Sequence, residues 1–164
     1  MQSASRDRHS GSMSGCDLSS PFGDLHLSAG PDAITGLGWG QRGVEGRDPV
    51  LLAAVDQLDA YFAGALETFD LPLQVQGSAF QVAVCDAMRA IPFGETRTYG
   101  QIADALGVTP QAVGQACGAN PIPILIPCHR VMGANGRLVG FSGAGGVETK
   151  VALLRHEGAG GFLI

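Results

Sequence analysis

The 164-residue chain lacks any window approaching the roughly 18 uninterrupted apolar residues that a membrane-spanning helix needs, so no transmembrane segment is expected. Its four cysteines, Cys16, Cys85, Cys117 and Cys128, form no Cys-x-x-Cys pair and no paired metal spacing. Free thiols in a reducing cytoplasm are the plain reading for Cys16, Cys85 and Cys117. Residues 1–15 are serine, glycine and charge without an apolar core; the stretch reads as a disordered tail, and neither a signal peptide nor a lipidation site is expected there. Charge is scarce as well: 15% of residues are charged and the net charge is −5, so the chain does not advertise a nucleic-acid binder. That charge is uneven. Residues 1–77 hold four Lys/Arg against ten Asp/Glu, whereas residues 78–164 hold six against five. Any DNA contact therefore belongs to the second half and rests on shape and a few local cations.

What is present is a hydrophobic content of 45%, enough for a real core in one domain or two small ones. Residues 21–28 and 33–39 alternate roughly, with Gly30-Pro31-Asp32 between them, and predict antiparallel strands. Asp48 as N-cap and Pro49 at the first position start a helix with Leu51, Ala54, Val55, Leu58, Phe62 and Leu66 on one face. Residues 71–77 form a linker and a domain boundary. Ser78 to Gln81 has the capping-box pattern and opens a helix with Phe80, Val84, Ala87, Met88 and Ile91 as its apolar residues; Pro92-Phe93-Gly94 stops it. Thr98 to Gln101 is a second capping box, followed by Ile102, Ala105 and Leu106, with Gly107 just past the helix end. Thr109-Pro110 restarts a helix to about Ala119. The pair has the outline of a helix-turn-helix.

The second helix of that pair carries Gly114 and Gly118, each costing about 1 kcal/mol against alanine, and no Arg, Lys or Asn to read base edges. Two readings stand. It is an internal helix whose glycines admit another element, or a small-faced helix that lets backbone approach DNA without choosing a sequence. Farther on, Gly133-Ala134-Asn135-Gly136 suggests a turn between short strands ending at residues 137–139. A glycine-rich loop follows over 140–146; no Lys-Ser/Thr follows it, so a phosphate cradle is a weak alternative. Residues 148–157 predict a closing helix stopped by Gly158.

An apolar run from Ile122 to Ile126, broken only by Pro123, leads into Pro127-Cys128-His129-Arg130-Val131. A cysteine there leaves the apolar interior beside polar neighbours, His129 and Arg130, able to favour its thiolate. By itself the pair is weak evidence. Side chains at i and i+1 of an extended chain point to opposite faces, and a lone cysteine is more often buried and inert.

The larger pattern is specific. Residues 120–131, Asn-Pro-Ile-Pro-Ile-Leu-Ile-Pro-Cys-His-Arg-Val, with Gly140-Phe141-Ser142-Gly143 and Leu153-Leu154-Arg155-His156-Glu157-Gly158, closely resemble the O6-alkylguanine-DNA alkyltransferases from about Asp17 to Gly158. The resemblance implies an α/β protein. A small N-terminal sheet-plus-helix domain (16–77) would follow the tail, and a mainly helical C-terminal domain (78–164) would carry the helix-turn-helix and active site. It implies direct-reversal repair, in which Cys128 irreversibly takes the alkyl group from O6-alkylguanine, with O4-alkylthymine a further substrate, and no cofactor. The partner is double-stranded DNA bound in the minor groove, by a cytoplasmic, nucleoid-associated monomer. Some members carry zinc in the N-terminal domain; Cys16 and His26 reproduce no ligand set, so no metal is expected.

Carried over residue by residue, the resemblance makes Cys128 the nucleophile, His129 its base through a bound water, and Glu157 the carboxylate orienting the imidazole. Glu157 could otherwise be a solvated helix end. Tyr99 would contact the base and the rotated phosphate, and Asn120 would be the hinge between DNA-binding helix and active-site strand. Val131 would offer its carbonyl to the base amine, and Phe141 with Ser142 would line the alkyl side. Gln111, Ala112, Gly114, Gln115, Gly118 and Arg130 would meet DNA. Residues 144–147 look like a short insertion. Gln111 stands where the family has an intercalating arginine, and two residues before it are missing, which puts efficient base flipping in question. Two other readings are a non-catalytic sensor of alkylated DNA that recruits excision repair, whose known members have lost the cysteine, and a helix-turn-helix transcription regulator.

Overall fold

The computed structural model describes residues 13–138 and 146–159. The expectations for residues 1–12, for position 139, for all of the glycine-rich loop over 140–146 except Gly146, for Phe141 and Ser142, and for the first two residues of the insertion at 144–147 lie outside them. The chain divides into two compact units, Met1–Gln74 and Val75–Ile164.

In the first unit, β1 (Ser14–Leu18), β2 (Leu25–Ala29) and β3 (Ile34–Trp39) form an antiparallel sheet in sequence order. β1 takes in Ser14 and Gly15, which the sequence reading left in the tail; its mixed polar composition hides a strand whose one buried residue is Cys16. The register aligns Cys16, Leu27 and Leu37 across the three strands, and all three are buried. Helix α1 (Pro49–Phe62) packs on β2, burying Leu51, Ala54, Leu58 and Tyr61. Each large apolar side chain so buried contributes roughly 1.5–3 kcal/mol. Asp48 stands at the cap position, but its side chain caps nothing. The expected linker is partly structural: Leu73 bridges Ile34, whose N–H and C=O bond Pro72 O and Gln74 N at 2.9 Å each.

The second unit is mainly helical, with α2 (Ala79–Arg89), α3 (Tyr99–Leu106), α4 (Pro110–Gly118) and α5 (Val147–His156). Ser78 caps α2, but Gln81 does not complete the box; its amide reaches across to Ala116 O at 2.8 Å and ties α2 to α4. Thr98 and Gln101 do make the full reciprocal box at α3, and Gly107 ends that helix in the left-handed region at φ 71°. Thr109 caps α4 through Ala112 N–H, giving the helix-turn-helix. A two-residue parallel ladder that periodicity could not reveal, β4 (Arg97–Thr98) with β5 (Val131–Met132), joins the start of α3 to the chain just beyond Cys128. No strand follows the 3-10 turn Ala134–Gly136 among the described residues; instead Gly133 N–H closes onto Arg137 O.

Candidate active site

Between α4 and Cys128 the backbone makes tight overlapping turns rather than a strand. Ile126 N–H bonds Ile122 O and Cys128 N–H bonds Ile126 O, both at 2.8 Å. Ile124 takes φ 72°, an outlier for a β-branched residue that persists only where the surroundings over-determine it. Buried Asn120 supplies that determination. Its carbonyl accepts from Ile122 N–H at 3.0 Å and its amide donates to Ile126 O at 2.9 Å.

Cys128, His129 and Arg130 then form a 3-10 turn, and all three are buried. The alternation objection to neighbouring Cys and His therefore does not apply. Burial pushes the Cys128 thiol up to about 11; the Asn120 amide and the Lys150 charge oppose that rise. At rest Cys128 is a protonated thiol, and a base must take its proton.

His129 Nε2 bonds Glu157 Oε2 at 2.8 Å, and the two side chains are fully buried. Because a carboxylate only accepts, Nε2 carries the proton and Nδ1 keeps its lone pair. Buried Nδ1 has no hydrogen-bond partner among the described residues. Burial lowers the His129 pKa; Glu157 opposes that, while Arg130 and Lys150 reinforce it. Glu157 sits at the C-cap of α5, buried and not a solvated helix end. Burial alone would push its carboxyl up, but the hydrogen bonds and charges of His129 and Arg130 hold it well below the usual carboxylate range.

Arg130 is not at a DNA-facing surface. Its Nε and Nη2 donate to Glu157 Oε1 and Oε2 at 2.8 and 2.9 Å, and its Nη1 to Ile91 O at 2.6 Å. Its guanidinium carbon lies 5.9 Å from the Phe93 ring centroid. The Val131 carbonyl accepts from Lys150 Nζ at 2.6 Å. Lys150, the chain's single lysine, is wholly buried, and its pKa is lowered by burial against the pull of the Cys128 and Cys117 thiols. The sequence reading missed it. The available signal was spacing: Lys150, Leu153, Leu154 and Glu157 recur at i, i+3, i+4 and i+7 on the buried face of α5.

Tyr99, at the start of α3, is half-buried, and burial together with the neighbouring Cys117 and Cys128 thiols pushes its hydroxyl up to about 12. It is a neutral donor. On α4, Gln111, Gln115 and Gly118 are exposed and Ala112 and Gly114 half-buried. Among the described residues, a methyl group built on Gly114 or Gly118 would meet nothing within 4 Å, so neither glycine admits another described element. With Lys150, Arg130 and Glu157 buried, the described surface of this unit carries Arg89, Arg97, Arg137 and Arg155 against Asp86, Glu95, Asp104 and Glu148. The small positive excess of the second half is therefore internal.

The family model "6-O-methylguanine DNA methyltransferase, DNA binding domain" matches residues 79–159, and "6-O-methylguanine DNA methyltransferase, ribonuclease-like domain" matches residues 18–75. A methylated-DNA–protein-cysteine methyltransferase from Mycobacterium bovis is 45% identical over 149 residues, spanning 85% of this chain and 89% of its own length. The chain belongs to this methyltransferase family. The O6-methylguanine methyltransferase crystal structure from Mycobacterium tuberculosis superposes with a TM-score of 0.77 at 42% identity, covering 89% of this chain and 93% of the other. The M. tuberculosis protein in complex with DNA superposes at 0.78 with 44% identity, covering 91% and 96%. The two-unit alkyltransferase architecture, a ribonuclease-like unit followed by a helical DNA-binding unit, is thus that of this chain.

Proposed function

We infer that this protein is a DNA-binding methyltransferase of direct-reversal repair, which moves the alkyl group of O6-alkylguanine in duplex DNA onto Cys128 in a single turnover. The carrying observation is the buried thiol next to a buried His129–Glu157 pair whose imidazole retains a free Nδ1 lone pair. In this reading the helix-turn-helix enters the minor groove, where readout is degenerate, and presents the small face of Ala112, Gly114 and Gly118, with Gln111 and Gln115 beside it. A monomer suffices, in the cytoplasm, where thiols stay reduced.

The chemistry balances without a cofactor. His129 Nδ1 accepts the Cys128 proton through an intervening water. The thiolate attacks the alkyl carbon, the S–C bond forms as the C–O6 bond breaks, and the electron pair remains on the guanine, which takes up a proton. Tyr99 offers a neutral hydroxyl to the base. Asn120 fixes the sulfur relative to α4. The Val131 carbonyl keeps one lone pair for the base amine while Lys150 holds the other.

Mass spectrometry after incubation with duplex O6-methylguanine DNA tests the reading: one methyl is expected on the Cys128 peptide, and none in Cys128→Ser, which still binds DNA. Retained binding without methylation of the native chain would instead favour a damage sensor.

A further inference from the structure

A buried imidazole–carboxylate pair has two stable forms, neutral histidine or imidazolium, and only the first can act as a base. An unscreened carboxylate favours imidazolium, which would fill Nδ1 with a proton before the thiol could deliver one. Here the carboxylate is not unscreened. Arg130 grips both oxygens of Glu157, and Oε2 is shared between Nη2 of Arg130 at 2.9 Å and Nε2 of His129 at 2.8 Å. The guanidinium is itself held from behind by Ile91 O and lies over Phe93, so its own geometry is fixed by the end of α2 and the turn after it. At rest the trio then carries one positive and one negative charge and a neutral ring.

We propose that Arg130 is a positioning residue for alkyl transfer: by clamping and neutralising Glu157 it keeps buried His129 uncharged, with Nε2–H turned to the carboxylate and the Nδ1 lone pair available. This rests on the reading of His129 as the base, and reassigns an arginine that sequence placed on DNA. Among the described residues, the charged groups that bear on His129 include Glu157, Arg130 and Lys150, and those that bear on Glu157 include His129 and Arg130. Removing the guanidinium takes away one of the influences that oppose the Glu157 charge at the ring, leaving burial and Lys150.

The test uses the full chain with Arg130→Met and Arg130→Lys. The His129 titration is followed by NMR of its Cε1–H group, alongside the pH profile of methyl transfer from duplex O6-methylguanine DNA. In Arg130→Met the His129 pKa should rise by about 1–3 units, the effect expected of one nearby charge. The acidic limb of the rate profile should move up in pH with it, so that transfer lost on the acidic side returns as the pH is raised. The Lys variant should fall between, and Glu157→Gln added to Arg130→Met should bring the His129 pKa back down. Slower transfer at every pH with an unmoved His129 titration, in either variant, overturns the proposal. So does a native His129 already charged at neutral pH. Should Arg130→Met fail to fold, Arg130→Lys and the native titration decide alone. The NMR arm tests Arg130 and the rate arm tests His129: a raised titration with an unshifted acidic limb would uphold the clamp and refute His129 as the base.

Discussion

Lys150 Nζ donates to the Val131 carbonyl at 2.6 Å inside the protein, three residues beyond the reactive cysteine. The ammonium holds the carbonyl proposed above to meet the base amine, and its charge lowers the pKa of the nearby Cys128 thiol. Lys150→Met keeps the stem and deletes the charge. The Cys128 thiol should then titrate higher, and transfer at pH 7.5 should fall about tenfold or more, one pKa unit being a factor of ten. Rates of alkylation by a small electrophile across pH 7–11 measure this; an unchanged profile would confine Lys150 to supporting Val131.

The fold should weaken in alkali. Cys117 and Cys128 are pushed up to about 12 and 11 from 9.0, Cys85 is raised, and Tyr99 is raised to about 12 from 10.0. Burial is the first cause in each case. The sign follows from linkage: a raised folded pKa gives stability that is intact below the unfolded value and lost as pH climbs toward the folded one. Thermal midpoints should therefore fall steadily above about pH 9, and Cys117→Ala should flatten that fall.

Gly114→Ala and Gly118→Ala should act with opposite signs on two observables. Each added methyl meets open space, so the isolated protein gains up to about 1 kcal/mol of helix stability. Affinity for duplex DNA should drop, because the backbone can no longer approach as closely. Denaturation and binding titrations on the same samples separate the two effects; unchanged affinity would remove this face from the interface.

Gln111→Arg should speed transfer from O6-methylguanine in duplex DNA and leave reaction with free O6-benzylguanine nearly unchanged. Extrusion costs a few kcal/mol only where the base is stacked and paired. Equal gains on duplex, single-stranded and free-base substrates would mean that exposed Gln111 does not act through flipping.

DNA affinity should depend only weakly on salt. Four arginines on the described surface of the second unit cap the phosphates it can neutralise, so the slope of log affinity against log salt should be no steeper than about −3.6. A steeper slope would bring arginines of the first unit into the interface.

The helices were legible because caps and periodicity mark them locally: Thr98 with Gln101, Thr109 with Pro110, and Gly107 stand where the sequence puts them. The site was legible only as a list of residues. Arg130 was misplaced because an arginine beside a reactive cysteine looks like a surface cation until its carboxylate partner, 27 residues away, is known. Lys150 was overlooked because a single lysine in a helix resembles solvated charge. The β4–β5 ladder arises from pairing over a distance that no local pattern encodes, and the left-handed Ile124 from the turns that buried Asn120 clamps around it.

The Asn120 amide also bears on how long the protein keeps. Asparagine ages to aspartate when the backbone nitrogen of the next residue attacks the side-chain carbonyl, and a proline at that place has no N–H with which to do so. The chain has two asparagines, Asn120 followed by Pro121 and Asn135 followed by Gly136. An aspartate at 120 would lose the donor to Ile126 O and set a negative charge beside the thiol; Pro121 closes that route. Chemical ageing is directed instead to exposed Asn135, in the turn beyond β5, where a new charge meets solvent. A protein that waits for a single use keeps its one-shot sulfur in a neighbourhood that does not spoil on the shelf.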